Sequence, residues 1–552
     1  MKSAKLSEKT YATFMFLAIS LLAGVLISGV AVPFVAMASS GARTAVGALE
    51  YLPAEFETPP QSQRSRILMA NGEVLSTFYE ENRDYVELSA ISKEMQDAQV
   101  AIEDHRFREH GAIDMEGIGR AFFKTISGDT QGASTLTQQY VKLVRVEMAK
   151  ASGDEEAAKA AVEVSIQRKI QEMRYAFAVE EKFSKDEILE RYLNIAYYGN
   201  GAYGVEAAAQ QYFGVHAKDL NLEQSAMLAG LVQNPFGLNP VKNPEKAIQR
   251  RNLVLQRMAT EGFTTQEAAD AAKATTFDPK KVTREPNGCQ AAKYPHLCDY
   301  VYNSLIVPDN MSALGATEEE RANALRRGGL TIQTLIDPKT QDAAEAAVAD
   351  MVSPTDPVIG NAVLIQPSTG LIVAMAQSRP KRGDGPGETY YNYNVAGGES
   401  RMGGAEGFQP GSTMKVFVTA AALNAGMAME QRYDSPGTIN TQGWTFKDCE
   451  GPFVYKQRPE PWEPQNLGRR AYGNIDMKAG TDNSVNTYYV QLLRDVGICA
   501  SIDMAQKMGA ELADGTDMRK FQRTPSWVLG TAYVTPLSMA EAYATLANRG
   551  VH

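Results

Sequence analysis

From Thr10 to Gly41 the chain carries no charged residue, and Tyr11 to Val35 is dominated by Phe, Leu, Ile, Val and Ala. That is longer than the ~20 residues a helix needs to cross a bilayer, so this segment is not expected in a water-soluble core. Lys2, Lys5 and Lys9 precede it. Positive charge on that flank predicts a cytoplasmic N-terminus, with everything after the run on the outer side. The rival reading is a cleaved signal peptide with Ala36-Met37-Ala38 as the cleavage site. The apolar run is too long for a typical signal core, so an uncleaved single-pass anchor is expected.

With 552 residues the chain is too long for one core and predicts two or three domains. The net charge of −10 argues against a protein built to coat nucleic acid, while leaving room for a local basic site for pyrophosphate. The four cysteines form no CxxC pair and only five histidines occur, so no metal site is expected. An even cysteine count in an exported chain favours disulfides over buried thiols. Cys289 and Cys298, just after the turn residues Pro286-Asn287-Gly288, are the expected pair. Cys449 and Cys499 stay open between a second disulfide and free thiols.

Pro59, Pro60, Gln61 and Gln63 read as a juxtamembrane connection. From Ile91 to Met258 apolar residues recur at helical spacing, as in Ile91, Met95, Ala98 and Ile102, and in Ile166, Ile170, Met173 and Phe177. The polar stretch that follows reads as a linker. The texture then changes. Leu330 to Thr334 alternates like a strand, and Asn361 to Met375 reads as a hairpin turning at Pro367-Ser368-Thr369-Gly370. A helix apolar nearly all round, Ser412 to Ala425, is closed by Gly426 and belongs inside a domain. The expected order is a cytoplasmic tail (1–9), an anchor (10–38), an all-α domain (60–258), a linker (259–329) and a mixed α/β domain (330–552).

Three runs in the helical part carry chemistry. Glu103-Asp104-His105-Arg106-Phe107-Arg108-Glu109-His110-Gly111 falls at a helix end. Adjacent carboxylates repel, and the negative end of the helix dipole disfavours ionisation. Both raise a carboxyl pKa toward that of a general base working near neutrality. A solvated acidic helix end is the plain alternative. Gly132 to Lys142 is dense in hydroxyls and amides and could line a polar cleft for a sugar, or simply cap a helix. In Arg168-Lys169-Ile170-Gln171-Glu172, Arg168 and Glu172 stand at i,i+4, opposite the Ile166/Ile170/Met173/Phe177 stripe. They form either a surface pair worth ~0.3–0.5 kcal/mol or part of a diphosphate site.

In this order the runs resemble the peptidoglycan glycosyltransferase family. The resemblance covers about Tyr79 to Leu255. It is carried by Glu103-Asp104, Phe107, His110-Gly111, Asp114, Gly132, Ser134-Thr135, Thr137-Gln138-Gln139, Arg168-Lys169 and Glu172. It continues through Glu187 to Glu190, Tyr192-Leu193-Asn194, Leu228 to Leu231, Pro235 and Pro240. It implies a lysozyme-like helical fold acting on lipid II and nascent glycan strands. Glu103 would deprotonate the acceptor sugar's 4-hydroxyl, and the polyprenyl diphosphate would leave. Arg168 and Lys169 would stabilise the diphosphate, with Glu172 as second acid. Asp104, Phe107, His110, Ser134, Thr135, Thr137, Gln138 and Gln139 would contact substrate. No cofactor is required, and a divalent cation for glycosyl transfer is compatible with the reading. Ala121-Phe122-Phe123 would dip into the membrane or lie in an ordinary buried helix.

Farther on, Gln409-Pro410-Gly411-Ser412-Thr413-Met414-Lys415 contains S-x-x-K at a helix start, with Lys415 one turn beyond Ser412. A lysine of lowered pKa within reach can take a serine's proton. Ser484-Val485-Asn486 adds S-x-N, and with Asp337-Pro338 and Val534-Thr535-Pro536-Leu537 the region resembles the transpeptidase domain of class A penicillin-binding proteins. The resemblance implies acylation of Ser412 by stem peptides ending in D-Ala-D-Ala and by β-lactams. Lys415, Ser484 and Asn486 would handle protons and positioning, and other cell-wall machinery would be among the partners.

No Lys-Ser/Thr-Gly triplet occurs in the sequence, and Lys478-Ala479-Gly480 sits on no strand pattern. The expectation is a chain cut before that strand, able to polymerise glycan but not to cross-link it. The helix after Ser412 would then leave apolar residues facing water, and Ser412 would react slowly with penicillin. The alternatives are a natural short form with an inactive second domain, or a membrane-tethered β-lactam sensor. A sensor needs none of the glycosyltransferase runs.

Overall fold

The structure, a computed structural model, describes residues 13, 56, 58–117, 134–152, 155–163, 165–397, 403–456 and 461–552. The expected cytoplasmic tail and, Thr13 apart, the expected anchor lie outside the described residues. So do Gly132 and Ala121-Phe122-Phe123. Among the described residues no helix is long and apolar enough to cross a membrane. The described chain forms two compact units. One takes residues up to Ser62 and Glu81–Arg284; the other takes Gln63–Glu80 and Glu285–His552.

The first unit is helical: α1 (Lys93–Glu103), α2 (Leu136–Ser152), α3 (Ile166–Lys182), α4 (Lys185–Ile195), α5 (Leu222–Leu231) and α6 (Pro244–Thr260) carry its core. Their starts are written locally. Ser92 accepts the Met95 amide at the head of α1, and Ser184–Glu187 and Asn221–Gln224 form capping boxes on α4 and α5. The α1 helix packs on α5 and α6, and α2 packs on α3 and α4. Met95, Ala98, Leu136, Tyr140, Tyr192, Leu228 and Val254 meet in the core between them.

Helix α3 departs from the expectation. Its apolar stripe is not the buried one: Phe177 is 57% exposed, whereas Glu172, Ala176 and Val179 face inward. Periodicity assigns the core side to apolar residues. Here a carboxylate neutralised by two neighbouring cations takes that side instead.

The stretch expected as a linker, 259–329, holds helices. Gln266–Lys273 belongs to the first unit, while α7 (Pro295–Ile306) and α8 (Glu318–Arg327) belong to the second. Thr317 and Glu320 form a capping box on α8, so the polar composition there is that of a solvated helix.

The second unit opens with strands that the sequence reading places in the all-α domain, 60–258. They are β1 (Ser65–Leu68) and β2 (Val74–Phe78), with β1 pairing in parallel to β3 (Thr331–Gln333). The expected hairpin is β4 (Asn361–Gln366) and β5 (Leu371–Gln377), turned at Gly370, whose φ of +72° suits glycine. The helical run at Ser412 begins as a tight turn, Gly411–Met414, and continues as α9 (Lys415–Asn424). It packs on α10 (Asn486–Val496) and α11 (Ile498–Lys507).

Met414, Phe417, Val418, Ala421 and Ala422 are buried. Of the large apolar side chains on α9 only Leu423 is exposed, at 43%, with Val416 and Ala420 half-buried above it. The expectation of a broadly wetted helix is thus met only along that one stripe, because α10 and α11 cover the other face. Both cysteine pairs are bonded, Cys289–Cys298 and Cys449–Cys499.

Candidate active sites

In the first unit a cleft of about 740 Å³ is lined from α1, α2, α3 and α6. Glu103 closes α1 and points into it. Gln139 Nε2 donates to Glu103 Oε2 at 2.8 Å, and Tyr192 Oη donates to Gln139 Oε1 at 3.1 Å, so the carboxylate is held from behind. Burial pushes the Glu103 pKa up, and Asp104 adds to the rise. The Gln139 hydrogen bond and the Arg250 charge oppose it. The sequence argument had the direction right and the main cause wrong: desolvation leads, and the neighbouring carboxylate is secondary.

Across the cleft Glu172, only 1% exposed, is bonded to Arg168, and Lys169 Nζ lies 3.1 Å from its other oxygen. The surface-pair reading is therefore excluded. Lys169 Nζ also donates to Ser134 Oγ at 2.5 Å, joining the hydroxyl run to the cationic run. Thr135, Gln138 and Gln139 line the same cleft.

The structure separates the other candidates. Asp104 reaches the lining, but its oxygens are engaged. One accepts the Leu136 amide at 3.0 Å and the other meets His110 Nε2 at 2.8 Å, so it pins the head of α2. His110 stands behind Asp104. Burial works against its charge, but Asp104 and the Gly111 carbonyl outweigh it and hold its pKa above the ordinary value. Phe107 is fully buried under Lys185, and Thr137 is buried against Glu180. Neither lines the cleft, so both shape it from within the core.

Sequence reasoning missed Arg250, which lines the cleft from α6 and whose Nε is buried without a hydrogen-bond partner among the described residues. Its only signal was the Arg250-Arg251 pair inside a core helix. Arg251 is absorbed structurally, donating to the Thr275 and Lys273 carbonyls at 3.0 and 2.9 Å. Among the described residues no group of three or more acidic, His or Cys side chains converges to hold a metal ion.

In the second unit S-x-x-K and S-x-N meet. Lys415 is 4% exposed, and its Nζ lies 3.1 Å from Ser412 Oγ, 2.7 Å from the Ser484 carbonyl, 3.0 Å from Ser484 Oγ and 2.6 Å from Asn486 Oδ1. Burial pushes its pKa down to about 8. The Ser484 carbonyl and Asn486 Oδ1 can only accept, so they take two N–H groups and leave the third direction of Nζ facing the serine hydroxyls. A neutral amine keeps its lone pair there. Ser484 sits at φ +50°, a backbone region that non-glycine residues seldom occupy, and this aims both its oxygens at Lys415. Beneath the nucleophile the backbone of Gly530 approaches Gly411 so closely that a Cβ would lie 2.1 Å from the Gly411 nitrogen. No motif pointed to that support.

A family profile described as Transglycosylase matches residues 71–259, and one described as Penicillin binding protein transpeptidase domain matches residues 360–552. Penicillin-binding protein 1A of Aquifex aeolicus is 29% identical over 570 residues, covering 90% of this chain and 71% of that protein. Penicillin-binding protein 2D of Bacillus subtilis is 29% identical over 557 residues, covering 100% of this chain and 69% of that protein. Penicillin-binding protein 1A of Mycolicibacterium smegmatis is 30% identical over 519 residues, covering 91% of this chain and 58% of that protein.

Proposed function

Because the chain belongs to the class A penicillin-binding proteins, the bifunctional enzymes that polymerise and cross-link peptidoglycan, we propose that its two bases are Glu103 and Lys415. Glu103 takes the proton of the acceptor sugar's 4-hydroxyl as that oxygen attacks the anomeric carbon of the growing strand. The polyprenyl diphosphate leaves with the bonding pair. Lys169, Arg168 and Arg250 supply fixed positive charge for it. Lys415, as the neutral amine, takes the Ser412 proton as Oγ attacks the penultimate D-alanine carbonyl, and the terminal D-alanine departs. The amine of a second stem then resolves the acyl-enzyme. β-Lactams acylate the same oxygen.

The observation that carries this reading is that one cause, burial, tunes both groups. It raises the carboxyl and lowers the ammonium, moving each toward neutral pH. A divalent cation carried in on the diphosphate is compatible with this reading. Lys169→Ala is the direct test of the leaving-group site. Lipid II turnover should fall by at least ~10²-fold, the scale of losing one preorganised charge contact in a desolvated site. Normal turnover would return Lys169 to the surface.

The membrane anchor is proposed as Thr10 to Ala38, on the charge asymmetry of its flanks. Edman sequencing of the protein recovered from membranes should read the original N-terminus. A new start at Ser39 would mean a removed signal peptide.

A further inference from the structure

One exposed loop is built onto the serine site more firmly than its sequence suggests. Asn486 Nδ2 donates to the Gln465 carbonyl at 2.6 Å, tying the loop to the S-x-N element. Asn466, buried, donates to the Pro436 carbonyl at 3.0 Å and the Arg470 carbonyl at 2.9 Å, and accepts the Thr487 amide at 3.0 Å. The loop's turn holds Arg469 at φ +56°, the left-handed region that favours glycine. Its carbonyl lies so close to Gly437 that a Cβ there would be 2.0 Å away.

This bracing presents two arginines to solvent. Arg469 Nε donates to Gln465 Oε1 at 3.0 Å, and the Arg470 guanidinium stands 4.9 Å from the Tyr472 ring. Neither is paired with a carboxylate among the described residues. Leu467 beside them is 96% exposed. A solvated loop needs neither a strained backbone nor a buried asparagine to bolt it down, and strain of this kind gathers where a side chain must be aimed.

We propose that Arg469 and Arg470 form a carboxylate subsite for the stem peptide acylating Ser412, rejecting stems in which that carboxylate is an amide. The inference rests on the reading of Ser412 as the acylated nucleophile. A guanidinium's planar fork matches a carboxylate and gains little from a neutral amide. Upstream of its terminal D-alanines a stem offers two free carboxylates of the right kind. One is the α-carboxylate of a γ-linked glutamate, and the other belongs to a diamino acid's side chain. The loop is tied to Asn486, which accepts a hydrogen bond from Lys415 beside Ser412.

The test is fluorescence anisotropy with labelled stem peptides and the full chain carrying Ser412→Ala, so that binding is read without turnover. Four peptides are used: both acids free, each one amidated, and a scrambled sequence of the same charge. The peptide with the recognised acid free should bind at least fivefold more tightly than its amide, and the two single-amide arms identify which carboxylate is read. Arg469→Gln/Arg470→Gln should abolish that difference at an unchanged unfolding midpoint, and Arg469→Lys/Arg470→Lys should restore part of it. Equal binding of acid and amide peptides overturns the proposal. So does equal binding of the scrambled peptide, or a double variant that still discriminates. Labelled penicillin on the chain with Ser412 intact reports separately on the nucleophile. If Ser412 is not acylated, the transpeptidase reading falls, while the anisotropy still judges the subsite.

Discussion

Replacing Glu103 with Gln is expected to lower lipid II polymerisation by about a thousandfold, in the middle of the ~10²–10⁴ range for removal of a positioned general base. The amide matches the carboxylate in size and can still meet Gln139 and Arg250, so the cleft should keep its shape. What is lost is the ability to accept a proton. Product strands resolved on a gel, with the unfolding midpoint as a control, check this. Near-normal polymerisation by a folded variant would remove Glu103 from the base role. The wild-type rate should also fall on acidification with a limb above the ordinary carboxylate value of ~4.3, because Glu103 must be ionised to act and burial raises its pKa.

The second large effect is at Lys415. Lys415→Ala should slow acylation of Ser412 by labelled penicillin by about a thousandfold, again within the span for a lost base. Lys415→Arg is the sharper variant. It keeps the positive charge but cannot deprotonate, so it should lose as much as alanine does. If arginine restored the rate, charge alone would be sufficient and the proton-transfer role would fail. The sign with pH is the same as at Glu103, since both bases act deprotonated, but the limb is set by an amine instead of a carboxyl. The active form of Lys415 is the neutral amine, so acylation should rise as pH climbs through about 8. With that pKa about one-tenth of the amine is neutral at pH 7, so the rate should grow roughly tenfold by pH 9.

Some of this was legible in the residues and some was not, for physical reasons. Local signals held. The S-x-x-K spacing put Ser412 and Lys415 within 3.1 Å, and the 361–375 hairpin formed as its alternation and turn predicted. Side-chain direction was less readable. Glu172 stayed open between a surface pair and a diphosphate site because apolar residues are presumed to mark the buried side of a helix. Arg168 and Lys169 neutralise it, so α3 turns its carboxylate inward and leaves Phe177 to solvent.

Phe107 and Thr137 share runs with cleft residues, yet the turn after α1 carries Phe107 into the core and the helical repeat of α2 does the same to Thr137. Arg250 was invisible for a different reason. It lies far along the chain from Glu103, and only the packing of α1 on α6 brings the two together. The strands Ser65–Leu68 and Val74–Phe78 were missed inside the stretch assigned to the all-α domain, because Thr331–Gln333, which extends their sheet beside Ser65–Leu68, lies more than 250 residues away.

The claim that one chain carries two independent bases is tested most directly by two pH–rate profiles on a single preparation, one for lipid II polymerisation and one for penicillin acylation. Polymerisation should show an acid limb set by a carboxyl of raised pKa, and acylation should still be climbing through about pH 8. A shared profile, or acylation already at its plateau at pH 6, would contradict the account.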